Sequence, residues 1–478
     1  MFSPGTLENI PEHGAILEPP PVDRNPDTEA LFAAELARLS MQERDEVLQD
    51  IHGVSDVQQE DPAFVQRCFD DLEEALSLIP VMEKLAYLQA KDLDESYTSN
   101  EAFLLMFLRA NSFNIKLSAA RIVSFFETKL TLFGPERLAQ DITYKDLDED
   151  DIQCLESGYA QILPGRDRAG RVIFCLLPMI RRYRSLRNRL RAAYLVVMHA
   201  LRDIETQRNG MVGLAYNVGA GYTQDREAVW RMAKLVGDLP TKFKGVHYCY
   251  DNDNVKMLFA LAMFVWERQT RIRCRIHCGS DMECVYNLMT FGIPAEVLPI
   301  TPSGDLKLEM HQEYCRRMRK FAEVRDNVKR IIIPGTYDVL LGRGKPLQKH
   351  PGNLRYHHIV ESFHGLYEKA QKLEKTNLSK MIVQKMKDGG GRFLKQDDVG
   401  WIEIDDEAAR YKVSHTFRNH RIAARVSEKK KNGTADHRRK HEDGSDASSS
   451  GDANYSEADG DHMSLDTQKR RRLSDVAS

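Results

Sequence analysis

The stretch that most constrains this chain runs from Val255 to Trp266, where every residue except Lys256 is apolar. A surface helix carries one apolar stripe, so a helix apolar all round must bury both of its faces. This run is also too short to cross a bilayer, which takes ~20 apolar residues. Two placements satisfy it: the centre of a core, or a lid with one face on the protein and the other on an apolar ligand. Its flanks are orderly. The β-branched and aromatic run from Gly245 to Tyr250 predicts a buried strand, and the oxygens of Asp251 to Asn254 offer caps for the helix that follows. Downstream come a second strand from Arg271 to Cys278, a Gly279-Ser280 turn, a short helix, and a loop from Gly292 to Pro299.

Upstream, the pattern alternates. Gly165 to Arg171 predicts a turn leading into a strand from Val172 to Leu177. A long helix from Ser185 to Gln207, a strand from Met211 to Val218 and a helix from Asp225 to Gly237 follow. Such alternation predicts an α/β domain with a mostly parallel sheet and helical cover. Before it, Phe103 to Ala110 and the Asn114-capped run through Leu117 to Phe133 predict a helical module.

Taken in order, these elements resemble the CRAL-TRIO lipid-binding family, that of the yeast phosphatidylinositol-transfer protein. The resemblance spans about 99–300. It rests on Leu104-x-x-Phe107-Leu108-Arg109-Ala110, on Gly165-x-Asp167-x-x-Gly170-Arg171 with Val172 where the family has proline, and on the strand, apolar helix, strand and Gly-Ser order. It implies that the apolar helix is the mobile gate of a lipid pocket. The pocket would then lie between the sheet (Phe174, Leu176, Leu214, Tyr216, Tyr248, with Val172, Val212 and Val246) and the gate (Met257, Leu258, Leu261, Phe264, Val265). Two positions depart from the phosphatidylinositol binders. Thr241 stands where they carry an acid, and Cys274 stands where they carry a lysine, with Arg273 and Arg275 on alternate sides of it. An apolar pocket is therefore expected, while these two departures leave the headgroup recognition of that group open.

Charge is segregated along the chain. Residues 1–95 hold 22 acidic and 6 basic side chains, whereas 96–330 hold 27 acidic and 35 basic. An acidic arm beside a basic domain suits contact with anionic surfaces. Residues 1–27, with six prolines and no hydrophobic period, read as disordered. A helix from Asp27 or Thr28 to Ile51, ended by Gly53, and two more over 62–79 and 81–92 follow. Packing of this acidic extension (28–95) on the next domain is expected. The eight cysteines are scattered and read as reduced thiols, and Cys274, Cys278, Cys284 and His277 lack the spacing of a zinc site. No metal and no cofactor is expected.

Beyond a charged helical linker (303–330), a further domain fills 331–426. Its order of helix, helix, hairpin (Arg392 to Lys395 and Trp401 to Ile404) and basic helix suggests a small α+β, winged-helix-like module. Asp338-Val339-Leu340-Leu341-Gly342-Arg343-Gly344-Lys345-Pro346, with Gly391-Arg392-Phe393-Leu394-Lys395 and a terminal Arg418-x-His420-Arg421, resembles an uncharacterised domain of algal proteins. Gly342-Arg343-Gly344-Lys345 lacks the spacing of a phosphate-binding P-loop. Arg343 and Lys345, with Arg418, Arg421 and Arg425 on one helix face, are candidate anion or nucleic-acid contacts. The tail, 427–478, is low-complexity with basic clusters of the nuclear-import kind.

No catalytic constellation stands out, and the expected protein is not an enzyme. It binds a small hydrophobic ligand, in the first place a lipid, as carrier or sensor, meets membrane surfaces transiently, and carries a C-terminal regulatory domain. A cytoplasmic location, with nuclear entry through the tail, goes with it. The rival reading is a lipid-free scaffold or nuclear regulator whose C-terminal domain binds nucleic acid or protein. The helical module is bounded at 96–135 and the lipid-binding domain at 155–302.

Overall fold

The computed structural model describes residues 28–54, 60–220, 226–252, 266–324, 328, 330–331, 333–342 and 344–422. Residues 253–265, which hold all of the apolar run but Trp266, the N-terminal 27 residues and the tail from 423 therefore lie outside the described residues. So do Arg343, Arg425 and the side chain of Lys345. The chain divides into two units, 1–414 and 415–478.

In the first unit the predicted α/β domain is built on five strands: β1 (Ala160–Arg166), β2 (Val172–Leu176), β3 (Met211–Tyr216), β4 (Phe243–Tyr250) and β5 (Cys274–Cys278). They lie side by side in chain order, β1 antiparallel to β2 and the rest parallel. Because parallel crossovers share one hand, a sheet that grows steadily in one direction sends its crossover helices to the same face. Those helices are Leu186–Ala200 and Arg226–Asp238. The predicted 185–207 helix is two helices, since the Asp203 carboxylate caps Ile204–Asn209 by accepting from Glu205 and Thr206 N–H. The strand expected from Arg271 begins only at Cys274, because Arg268–Arg271 forms a helical turn.

The β1–β2 turn is held by a buried ion pair. Asp167 accepts from the main chain of Ala169 and Arg171 and from Arg171 Nε at 2.7 Å. Gly170 takes φ +76° there, a conformation that glycine enters without strain.

The helical module, Glu101–Ala110 and Ile115–Phe133, buries Phe103, Phe107, Phe125 and Phe126 in one edge-to-face cluster. Lys129 is wholly buried beside them. Its Nζ donates to the carbonyls of Leu138 and Gln140 at 2.8 and 2.6 Å, and burial brings its pKa down to about 7. The segment read as a linker is not one. Glu309–Glu323 sends Cys315 and Met318 into the main core, and His311 Nε2 lies 2.7 Å from the Leu155 carbonyl.

Downstream, β6 (Arg330–Ile331), β7 (Val339–Leu341), β8 (Phe393–Gln396) and β9 (Trp401–Glu403) form a second sheet in the order β6-β9-β8-β7. The expected β8–β9 hairpin is present. However, β7 runs parallel to β8, and β6 adds to β9 from outside, so the sheet is larger and more mixed than the hairpin of the winged-helix expectation. The two helices expected before the hairpin are three: Pro351–Ser362 and His364–Lys369, which part at Phe363, and Lys372–Asp388 with Gln371 at its N-cap. Motif residues here serve the fold: Asp338 accepts from Arg392 Nη2 at 2.7 Å, and the Asn353 amide pairs with both main-chain groups of Leu340. In the second unit the described residues, 415–422, are helical.

Candidate ligand cavity

A cavity of about 1040 Å³, its mouth included, opens between the sheet and the crossover helices. Register shows how it is made. Phe174 of β2 pairs with Gly213 of β3, which pairs with Val246 of β4, and one step along, Leu176, Ala215 and Tyr248 are aligned in the same way. Side chains of one such row point to one face. The middle strand thus offers a hydrogen atom and a methyl group where its neighbours offer large side chains; the Phe243 ring takes up the space over Gly213, and half-buried Ala215 lies along the hollow. Opposite stand the small and flexible residues of Arg226–Asp238: Ala228, Val229, Met232, Ala233 and Val236. Phe243 and Trp266 complete the apolar wall.

One part of the wall is polar. Arg189 lies 4.4 Å from the Tyr159 ring centroid and 4.8 Å from that of Tyr183, and donates to the Tyr159 hydroxyl at 2.7 Å. Arg181 donates to the Ala220 carbonyl at 3.1 Å. Trp266 is 8% exposed, and its indole N–H finds no acceptor among the described residues. A buried donor of this kind is costly to leave unpaired.

Of the residues expected to face the ligand, Phe174, Leu176 and Tyr248 lie along the cavity. Tyr216 does not. Its hydroxyl donates to Asp281 Oδ1 at 2.6 Å, and burial with that contact raises its pKa. Leu214 borders the cavity, yet its register partners are Cys175 and His247, so its side chain stands on the opposite face. Val212 shares that phase. The β3 residues on the cavity side are Gly213 and Ala215, which carry too little hydrophobic surface to announce themselves. Met257, Leu258, Leu261, Phe264 and Val265 lie outside the described residues. Cys274 and Thr241 are buried. Arg273 is bound to Asp50 at 2.6 Å, and Arg275 donates to the carbonyls of Ile272 and Cys274.

The opposite face of the sheet holds a stacked histidine pair. His247 Nδ1 lies 3.0 Å from His277 Nε2, with Phe291 against both rings. Burial, with Arg275 nearby, takes the His277 pKa down to about 4.

Comparison with known proteins gives two kinds of match. Residues 338–419 match a domain of unknown function (DUF6824). The sequence is 26% identical to alpha-tocopherol transfer protein-like of Homo sapiens over 211 residues, which is 43% of this chain and 58% of that protein. It is 27% identical to Clavesin-1 of Xenopus laevis over 203 residues, 40% of this chain and 58% of the other. The chain is a distant relative of both. It spans somewhat more than half the length of the curated relatives it matches.

Proposed function

We propose that this protein is a non-enzymatic carrier or sensor of a lipophilic small molecule, held in the cavity over β2, β3 and β4, in the manner of a CRAL-TRIO domain. The observation that carries the reading is the alignment of Ala215 between large neighbours, opposite a helix face of alanine and valine. A core built only for stability closes such a gap, because each void costs contacts. The distant relation to a protein named for tocopherol transfer supports the same class of cargo. Affinity comes from burial, at ~0.8 kcal/mol per methylene. Trp266 borders the cavity, but its indole N–H is itself buried, so burial of apolar surface is the source of affinity in this reading.

Yeast-type phosphoinositide headgroup recognition is not part of this proposal. The acid and lysine positions hold buried Thr241 and Cys274, and Arg273 is already engaged. The domain around β7 to β9 is proposed as regulatory, in a chain placed in the cytoplasm with access to the nucleus. Contact with nucleic acid or protein would run through Arg418, which is exposed, and Arg421.

The test is mass spectrometry of lipid that copurifies with the full chain, with uptake from labelled vesicles. A stoichiometric lipid is expected. A chain that copurifies with none and extracts none sinks the proposal.

A further inference from the structure

The acidic arm does more than pack. Four of its carboxylates engage six cations of the domain that follows. Glu35 meets Arg271 at 3.1 Å and Glu43 meets Arg268 at 3.0 Å. Asp50 meets Arg273 and Lys244, both at 2.6 Å, and Glu60 meets Arg109 at 2.6 Å and Arg208 at 2.9 Å. The Asp50 and Glu60 pairs are largely buried. Hydrogen bonds from Arg109 hold the Glu60 carboxyl down at about 2. Beneath the arm runs a wide polar groove shared by Asp50 and Glu60 with Arg109, Lys242, Lys244 and Arg273. Phe64 and Phe113, 5.3 Å apart, border the same groove.

The arm's apolar contacts are separate from the main core. Leu39, Val47 and Ile51 form a small cluster with Ile272, to which Leu36 and Phe291 add. By contrast Cys68, Leu72 and Leu76, on the next helix, belong to the main core. The arm thus holds to the domain through a small apolar cluster and these ion pairs. Its partners Arg268, Arg271 and Arg273 closely follow the apolar run Val255–Trp266 in the chain.

We infer that the arm is a self-bound acidic cover over a surface built for an anionic bilayer. The carboxylates occupy positions that lipid phosphates take when the arm is displaced. A bilayer is the partner rather than a free anion because the six cations are spread over several elements instead of converging on one point. Partly exposed aromatic side chains also sit among them. A bilayer is in addition where the proposed cargo resides, and to that extent the inference rests on the lipid-carrier reading. Each basic side chain near an anionic surface adds to its attraction, so uncovering several together changes binding steeply. Two acids of the arm, Asp50 and Glu60, decide whether the cover stays. Neutralising them leaves Arg109, Arg208, Lys244 and Arg273 without these partners under a docked arm, which favours its release.

The experiment uses the full chain and its Asp50→Asn/Glu60→Gln variant. Both are floated with vesicles of phosphatidylcholine alone or of phosphatidylcholine with phosphatidylserine. Hydrogen exchange at Val47 and Ile51 reads arm release directly. Expected are faster exchange in the variant, at least about tenfold tighter binding to the anionic vesicles, and no change with phosphatidylcholine alone. Adding Arg109→Gln, Lys244→Gln and Arg273→Gln should abolish the gain. The inference is overturned if the arm is released without a gain, if the gain survives the three arginine and lysine changes, or if the arm stays docked in the variant. It is also overturned if inorganic phosphate or duplex DNA at matched phosphate competes as well as the vesicles do. Copurified lipid is scored separately. A chain that carries cargo but gains no vesicle binding loses only this inference, and one that gains binding without cargo loses only the carrier reading.

Discussion

The apolar cavity and the polar groove belong to the same five-stranded domain, yet opposite means hold them open. The cavity exists because Ala215 is too small to fill the row between Leu176 and Tyr248, while the Phe243 ring covers Gly213 beside it. The groove exists because charged side chains cannot collapse onto one another without counter-ions, and the arm supplies them from far away in sequence. An absence of volume makes the first, and a surplus of charge the second. Substitutions should therefore separate them: bulk closes the cavity and spares the groove, while neutralisation opens the groove and spares the cavity.

The largest effect should strike both at once. Asp167 and Arg171 form a pair only a few per cent exposed, and Arg171 also donates to the Asp50 carbonyl in the arm. Asp167→Ala leaves a buried guanidinium without its partner, at a cost of about 3–5 kcal/mol. Chemical denaturation should show that loss, together with a loosened arm. Loss of less than about 1 kcal/mol would mean that the turn does not couple the two regions.

Next is Ala215→Trp, which puts an indole into the hollow. Retained lipid should fall about tenfold or more, the displaced methylenes accounting for the loss, while exchange at Val47 and Ile51 stays at the parent rate. Undiminished cargo in a folded variant would remove the cavity from the binding site.

Acid should act on the groove before the cavity. The Glu60 carboxyl, at about 2 in the folded chain, lies below its ordinary 4.5. A depressed acid contributes stability above the unfolded value and loses it as pH falls through the folded one. Arm protection from exchange should thus be constant above about pH 4.5 and decline toward pH 2, with Glu60→Gln reducing that decline. Glu43, held down by hydrogen bonds from Ser40 and by Arg268, and Asp50, whose burial is outweighed by Lys244 and Arg273, carry the rest.

The smallest effect is on the histidine pair. His277 sits at about 4, below its ordinary 6.5, because the neutral ring is buried. The unfolded chain takes up that proton first, so stability falls as pH drops from 6.5 toward 4 and the slope then ends. Melting temperatures of the parent and His277→Gln across that window would show the difference. Parallel curves would mean that the pair does not titrate with unfolding.

Much of this was open to reading along the chain. Ser280 caps its helix through a reciprocal pair with Glu283, Gly53 ends the helix Met41–His52 in a left-handed turn at φ +69°, and Asp405 accepts from Ala408 N–H at the start of the last helix. All are short-range chemistry. The same chemistry was missed at Ser40, whose capping box with Glu43 divides the predicted 28–51 helix into Thr28–Ala37 and Met41–His52. A continuous apolar stripe through Leu36, Leu39, Val47 and Ile51 masked it. These side chains do share one cluster, but from two helices.

The amino-acid sequence by itself determined the kinds of element, their order, the parallel sheet and the apolar character of the site, because each follows from neighbours within a few residues. Three things were left to the tertiary structure. The face on which each β3 side chain lies was hidden, since a strand buried on both sides shows no alternation, and Tyr216 and Leu214 read as well as Gly213 and Ala215. The burial of Glu309–Glu323 was hidden because a helix with a charged exterior looks like a linker until its apolar side meets a core. The pairing of Asp50 with Arg273, 223 positions apart, had no local signal at all. Charge along a chain reports only an excess of one sign, and which carboxylate meets which cation is set by the fold that brings them within hydrogen-bonding distance.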